Sequence, residues 1–188
     1  MQKPQVIAII GMAGSGKGTV VEHLVEAYQI PKVYFGGMVY EEVERRGLNI
    51  IRDERAVRED MRATDGPAVL AKRAATRAKE ELQNGARFVV LDGVYSWSED
   101  CYLREIFGDA YSSIAIVTPK HVRYDRVVTR KDAHRTYTRD DIKRRDIEEI
   151  EFHHKGDPIA FADYYLLNAS SIDALKAATD DIMHQLGY

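Results

Sequence analysis

Apolar runs of strand length alternate along the chain with segments whose apolar residues recur at helical spacing. That alternation predicts an α/β fold, with a parallel sheet covered by helices. The runs are 5–10 (QVIAII), 32–35 (KVYF), 88–91 (FVVL), 113–117 (SIAIV) and 164–167 (YYLL). Capping residues and prolines predict helix starts between them. These are Asp65 ahead of Pro67, Thr118 ahead of Pro119, Asp157 ahead of Pro158, Thr138 three before Asp141, and Ser170 three before Asp173. Residues 36–86 are rich in Glu and Arg and are longer than a minimal crossover between two strands, so they read as two or three helices inserted as a cap.

Composition narrows the classes without naming a function. With 188 residues, 45% hydrophobic and 30% charged, the chain suits one compact domain. Such a chain buries roughly 70% of the surface its unfolded form exposes. No run of apolar residues is long enough to span a membrane, and Gly11 interrupts the first one without an export cleavage signal. The single Cys101 excludes an internal disulfide and a cysteine metal cluster, and a lone thiol suits the reducing cytoplasm. Burial is expected for Cys101 and the nearby Trp97. A formal charge of −3 argues against a nucleic-acid coat or a membrane-surface patch. Positive charge is nevertheless local, because residues 120–151 carry Arg123, Arg126, Arg130, Arg139, Arg144 and Arg145 among other basic residues.

The most specific chemistry lies at residues 11–19, GMAGSGKGT, directly after the first apolar run and before the helical TVVEHLVEAY. The pattern GxxxxGK with a hydroxyl residue close behind, in a strand, loop and helix setting, describes a loop that binds nucleotide phosphates. Gly11, Gly14 and Gly16 permit backbone conformations closed to other residues, so that amide N–H groups converge on phosphate oxygens. Ala13, Ser15 and Gly18 add their backbone to the same cradle. The helix beginning near Lys17 contributes its positive N-terminal end, and Lys17 reaches the β- and γ-phosphates. Position 18 has no hydroxyl, so Thr19 is the candidate magnesium ligand.

A second candidate ends the run FVVL. Asp92, at the C-terminal end of a buried strand, is placed to hold magnesium beside the phosphate loop; the alternative is a turn residue. Hydrolytic ATPases commonly carry a Glu after this Asp to polarise water. Gly93 stands there instead, which favours transfer over hydrolysis.

Together GMAGSGKGT, the DG of DGVYS and DRVVTR at 125–130 resemble the nucleoside and nucleotide monophosphate kinases of the adenylate-kinase type. The resemblance implies a three-layer phosphate-loop fold, with a five-stranded parallel sheet and helices on both faces. It implies that 36–86 is an acceptor-binding cap and 131–145 a small lid within one domain covering 1–188. It further implies ATP and Mg2+, a small-molecule phosphate acceptor, Arg126 on adenine, Arg130 on phosphate, Asn168 at the adenine edge, and Asp92 and Gly93 on the acceptor side.

Two departures from that pattern concern the acceptor. Gly37 and Tyr40 replace the Asp and Arg of one acceptor segment, and Ser96 replaces the Arg that follows DG in the other. Neither Tyr nor Ser supplies a permanently charged fork. The stretches around 46–66 and 162–171 are closer to archaeal-type nucleotide kinases related to dephospho-CoA kinases. Arg58 and Arg62, four apart on a helix, are the candidates to take the acceptor's phosphate beside Tyr40; the alternative is a solvated surface pair. Arg126 and Arg130, read as one helical pair, and Arg145, on resemblance, join Lys17 as the catalytic set; the alternative is an exposed charged helix. Arg144 is expected to face away from Arg145. His153 and His154 have no metal-binding spacing. TRKD at 129–132 falls within the same expected helix and lacks the Lys of a guanine-reading motif.

The expected function is therefore an ATP- and magnesium-dependent phosphotransferase acting on a small nucleotide-like acceptor. A dephospho-CoA kinase-like activity is one alternative and an ATPase switch is another. Nucleic acid and membrane are not expected partners.

Overall fold

The computed structural model describes residues 5–130 and 137–188. Five strands form one sheet: β1 (Val6–Ile10), β2 (Lys32–Tyr34), β3 (Val89–Asp92), β4 (Tyr111–Val117) and β5 (Tyr164–Leu167). All are parallel, in the spatial order β2-β3-β1-β4-β5. The helices are α1 (Lys17–Tyr28), α2 (Phe35–Arg45), α3 (Ile50–Asp65), α4 (Val69–Gln83), α5 (Trp97–Phe107), α6 (Lys120–Thr129), α7 (Arg139–Glu151), α8 (Gly156–Ala160) and α9 (Ile172–Leu186).

The period of two along β1 sorts the core into halves. Val6, Ala8 and Ile10 pack with α2 to α5, whereas Ile7 and Ile9 pack with α1 and α9. Every residue of β1 is fully buried, so its sequence reads as a continuous apolar run rather than an alternating one. The C-terminal ends of the strands all point one way, and the strand order reverses direction around β1. The crevice outside the carboxyl ends at such a point is where a parallel sheet accepts ligands.

Several expected boundaries shift. The fourth run begins two residues earlier than expected, at Tyr111, and Asp92 itself ends β3. Asp65 does not start a helix. It closes α3, because Gly66 follows at φ 94 and stops the chain from continuing, and α4 then begins at Val69 without a side-chain cap. The N-cap of α9 is Ser171 rather than Ser170, with its hydroxyl accepting from the Ala174 N–H. Pro119, not Thr118, caps α6, and α8 starts at Gly156 with Asp157 in its first turn. The expected capping box of Thr138 and Asp141 is present. Arg130 does not extend α6; it is extended at φ −66 and ψ 117, so Arg126 and Arg130 do not form a single helical face. TRKD therefore leaves the helix after Thr129, and its residues 131–132 lie outside the described residues, as does 131–136 of the expected lid. Cys101 is exposed rather than buried, and Trp97 is half-buried against Phe161 with ring centroids 5.4 Å apart.

Candidate functional site

Residues 11–16 turn the chain from β1 into α1. Gly16, at φ 103, is the N-cap of α1, and a Cβ there would lie 2.2 Å from Asn168 Nδ2. Gly14, at φ 76, passes so close to α6 that a Cβ would lie 2.6 Å from the Arg123 carbonyl oxygen. Only glycine fits both positions. The carbonyls of the loop are turned back onto the protein. Lys17 Nζ donates to those of Gly11 and Met12 at 2.7 and 3.1 Å. Ser15's carbonyl accepts from Thr118 Oγ1 at 2.9 Å and from Asn168 Nδ2 at 2.8 Å. Arg123 Nη1 donates to Ala13's carbonyl at 2.9 Å. With its carbonyls engaged in this way, the loop is held at the N-terminal end of α1, where backbone N–H groups favour anions.

The loop opens onto a cleft of about 920 Å³. Ala13, Gly14, Gly16, Lys17, Gly18 and Thr19 line it, with Asp92 and Gly93 beside them. Tyr40, Arg58 and Arg62 line the side of α2 and α3, and Arg126, Arg130 and Arg145 line the side of α6 and α7. Arg144 also lines the cleft, but it turns back to Asp141 at 2.5 Å while Arg145 reaches forward to Glu149, so the two side chains diverge. Gly11, Ser15 and Asn168 are buried behind this lining. Asn168 acts through its side chain. It holds Ser15 and accepts from Arg126 Nη2 at 3.3 Å, bringing the last strand, the loop and α6 to one point.

Arg58 and Arg62 are not a solvated pair. Arg58 donates to Glu54 at 2.6 Å, and Arg62, whose side chain is 10% exposed, donates to the buried Glu99 at 3.2 Å. The Arg62 guanidinium also lies over the Tyr95 ring at 5.1 Å. Arg58 Nε, Arg62 Nε and Arg62 Nη1 are buried without a hydrogen-bond partner among the described residues. Such donors cost about 1–3 kcal/mol each when left unsatisfied. Ser96, standing where the resemblance would place an Arg, caps α5 in a reciprocal capping box with Glu99. Glu99 in turn receives Arg62, so Arg62, Ser96 and Glu99 form one connected unit.

The electrostatics converge on Lys17. Burial brings its amine down from 10.5 to about 7; Lys155 and Arg145 push the same way, against the opposing pull of Glu149 and Asp92. Burial raises the Asp92 carboxyl, with Lys32 and Lys17 opposing. Burial would also raise Glu149, but Lys155 and Arg145 outweigh it and hold that carboxyl at about 2.

Two parts of this arrangement escaped the sequence reading. Arg123 makes a two-pronged pair with Asp146 of α7, at 3.2 and 2.6 Å, with both side chains less than a tenth exposed. The partners lie 23 residues apart in different helices, so no local pattern marks them. Glu149, Lys155 and Tyr95 line the cleft as well. Their only sequence signal is a lone lysine after an acidic helix.

As cofactor-holding groups, the residues fit a magnesium–nucleotide. The glycine cradle leaves no room for a Cβ, Ser15 Oγ is buried without a partner among the described residues, and Thr19 and Asp92 offer the hard oxygen ligands that magnesium takes. No cluster of three His, Cys, Asp or Glu side chains suited to a metal occurs among the described residues.

Comparison with known proteins gives a consistent picture. Residues 10–151 match the family described as AAA domain. A UPF0200 protein of Thermococcus onnurineus is 34% identical over 96% of this chain and 97% of its own length. Among solved structures, TT1252 from Thermus thermophilus is similar with a TM-score of 0.68 and 20% identity, over 100% of both chains. A shikimate kinase from Bacteroides thetaiotaomicron is similar with a TM-score of 0.61 and 13% identity, over 98% of this chain and 99% of that one. The five-stranded parallel sheet between helices is thus the fold of the phosphate-loop kinases.

Proposed function

The chain belongs to the AAA domain family and to the UPF0200 proteins, and on that footing we propose that it is a phosphotransferase, moving the terminal phosphoryl group of ATP to a small acceptor that bears a phosphate. One observation carries this reading. A single cleft runs from Lys17 and the phosphate loop to the guanidinium side chains of Arg58 and Arg62, and Arg126 and Arg145 flank it. The first end suits a triphosphate and the second an anionic acceptor, so the two ligands would meet between them. The similarity of the fold to a shikimate kinase supports transfer.

In this reading the chain's own groups position and neutralise. The loop amides and Lys17 hold the β- and γ-phosphates. Arg126, Arg130 and Arg145 offset the charge that spreads over the equatorial oxygens as the phosphorus leaves ADP's oxygen and bonds to the acceptor's. Thr19 and Asp92 would hold magnesium, which when bound neutralises charge on the same phosphates. Gly93, at φ 106 beside Asp92, offers no carboxylate to polarise water, and this favours an acceptor over hydrolysis and over an ATPase switch. Tyr40 and the unit of Arg58 and Arg62 form the acceptor wall, with residues 36–86 as the cap. Among the described residues no helix is long and apolar enough to cross a membrane.

A thermal-shift screen with a magnesium-bound, non-hydrolysable ATP analogue tests the pairing of ligands. Nucleoside monophosphates and dephospho-CoA form the acceptor panel. At about a hundred times its dissociation constant a ligand adds about 2.7 kcal/mol, which raises the melting temperature of a chain of this size by about 5–10 °C. The reading expects an acceptor that adds such a shift on top of the analogue's. If none adds to it, the acceptor half of the proposal fails.

A further inference from the structure

The acid near the end of α7 and the lysine that follows it belong to no motif, yet both are buried in the wall of the cleft. The side chains of Glu149 and Lys155 are 2% and 4% exposed. One Glu149 oxygen accepts from Arg145 Nε at 2.7 Å and the other from Lys155 Nζ at 2.6 Å. Tyr95 completes the group, with its ring centroid 4.2 Å from the Lys155 ammonium. The backbone is shaped for the contact. His154 sits in the left-handed region at φ 51, and the Lys155 N–H returns to the Glu149 carbonyl at 3.1 Å. A non-glycine residue there costs about 1–3 kcal/mol and persists where its surroundings over-determine it.

Stability alone does not account for this pair, since apolar side chains of similar volume often serve as well or better than a buried ion pair. The charge balance gives a better reason. Lys17, Arg145 and Lys155 lie within electrostatic reach of one another, facing the carboxylates of Glu149 and Asp92. Lys155 is buried and Arg145 half-exposed on the cleft wall, so a phosphate entering beside Lys17 gives these cations an anionic partner. Glu149 engages Arg145 through Nε and leaves the two terminal guanidinium nitrogens outside that bond. Those are the nitrogens that make two-pronged contacts with phosphate.

We propose that Glu149 is a positioning residue, holding Lys155 and Arg145 as the cationic wall that receives the terminal phosphate of the nucleotide beside Lys17. The inference rests on reading the cleft as a nucleoside triphosphate site and adds to it a lysine and an acid that no motif supplies.

Titration calorimetry on the full chain compares Mg–ADP with the Mg-bound non-hydrolysable ATP analogue, for wild type, Lys155→Met, Glu149→Gln and the double variant Glu149→Gln/Lys155→Met. The double variant removes both buried charges together and so folds where a single change leaves one unpaired. In the variants that fold, ADP affinity is expected to stay close to wild type while the analogue loses about tenfold or more, the size of one charge-assisted hydrogen bond. Equal losses for both nucleotides indicate a purely structural pair and overturn the proposal, as does an unchanged analogue affinity in the double variant. A wild type that binds neither nucleotide overturns the triphosphate reading itself.

Discussion

Replacing Gly16 by alanine probes the phosphate loop at its tightest point. The residue stands at φ 103, and the new Cβ would lie 2.2 Å from Asn168 Nδ2 and 3.4 Å from its Cγ. Backbone strain in that region costs about 1–3 kcal/mol. Asn168 is buried and cannot move without releasing Ser15's carbonyl and Arg126, which adds about 0.5–1.5 kcal/mol for a hydrogen bond. The sum is about 2–4 kcal/mol. With a urea slope of about 2 kcal/mol/M, the unfolding midpoint should fall by about 1–2 M. Gly18→Ala is the internal control. Gly18 lies inside α1 with nothing within 4 Å of its Cβ position, so alanine there should be neutral or stabilise by up to about 1 kcal/mol. Adding Asn168→Ala to Gly16→Ala should cost less than the sum of the two, because the clash and the lost bond share one side chain. Urea denaturation followed by circular dichroism measures wild type, the three single variants and the double variant. A Gly16→Ala midpoint within error of wild type, or strict additivity with Asn168→Ala, would refute the idea that Asn168 clamps the loop.

Other consequences are equally open to measurement. Asp146→Ala strands the buried Arg123 guanidinium and should destabilise by about 3–5 kcal/mol in the same assay, whereas Arg123→Met/Asp146→Leu should cost much less; equal costs would contradict a coupled pair. The Glu149 carboxyl is depressed in the folded chain, so its contribution is fully present above its ordinary 4.5 and is lost as pH falls towards about 2; an acid titration of Glu149→Gln should be flatter across that window than wild type. The Lys17 amine is depressed to about 7, so a phosphate that recharges it should draw a proton from solution. Binding of the ATP analogue at pH 8, measured in buffers of different ionisation heat, should therefore show proton uptake that Lys17→Met abolishes. Cys101 is exposed and should be labelled in the folded protein by a hydrophilic maleimide, while protection until unfolding would contradict its placement.

What was legible in the sequence followed from local rules. The run at 164–167 coincides with β5, and the glycine loop lies where the motif and its flanks put it, because strand burial and phosphate cradles constrain consecutive residues. The expectation failed where a local signal had two readings. Asp65 near Pro67 looked like a helix start, yet Gly66 decides the matter by ending α3. Arg130 kept helical spacing from Arg126, but the backbone turns extended at that residue. Ser96 and Glu99 did carry a readable capping box, which explains why position 96 holds a Ser. The Arg123–Asp146 pair and the shared place of Lys17 and Lys155 on the cleft join distant segments, so they were visible only once the sheet had brought α1, α6 and α7 together.

The central claim is phosphoryl transfer to a small acceptor, and following the γ-phosphate of labelled ATP tests it most directly. Incubation with magnesium and the acceptor panel, then separation of the products, should place the label on one acceptor, and Lys17→Met should abolish that product. Label appearing only as free phosphate, at the same rate with and without every acceptor, would contradict the account.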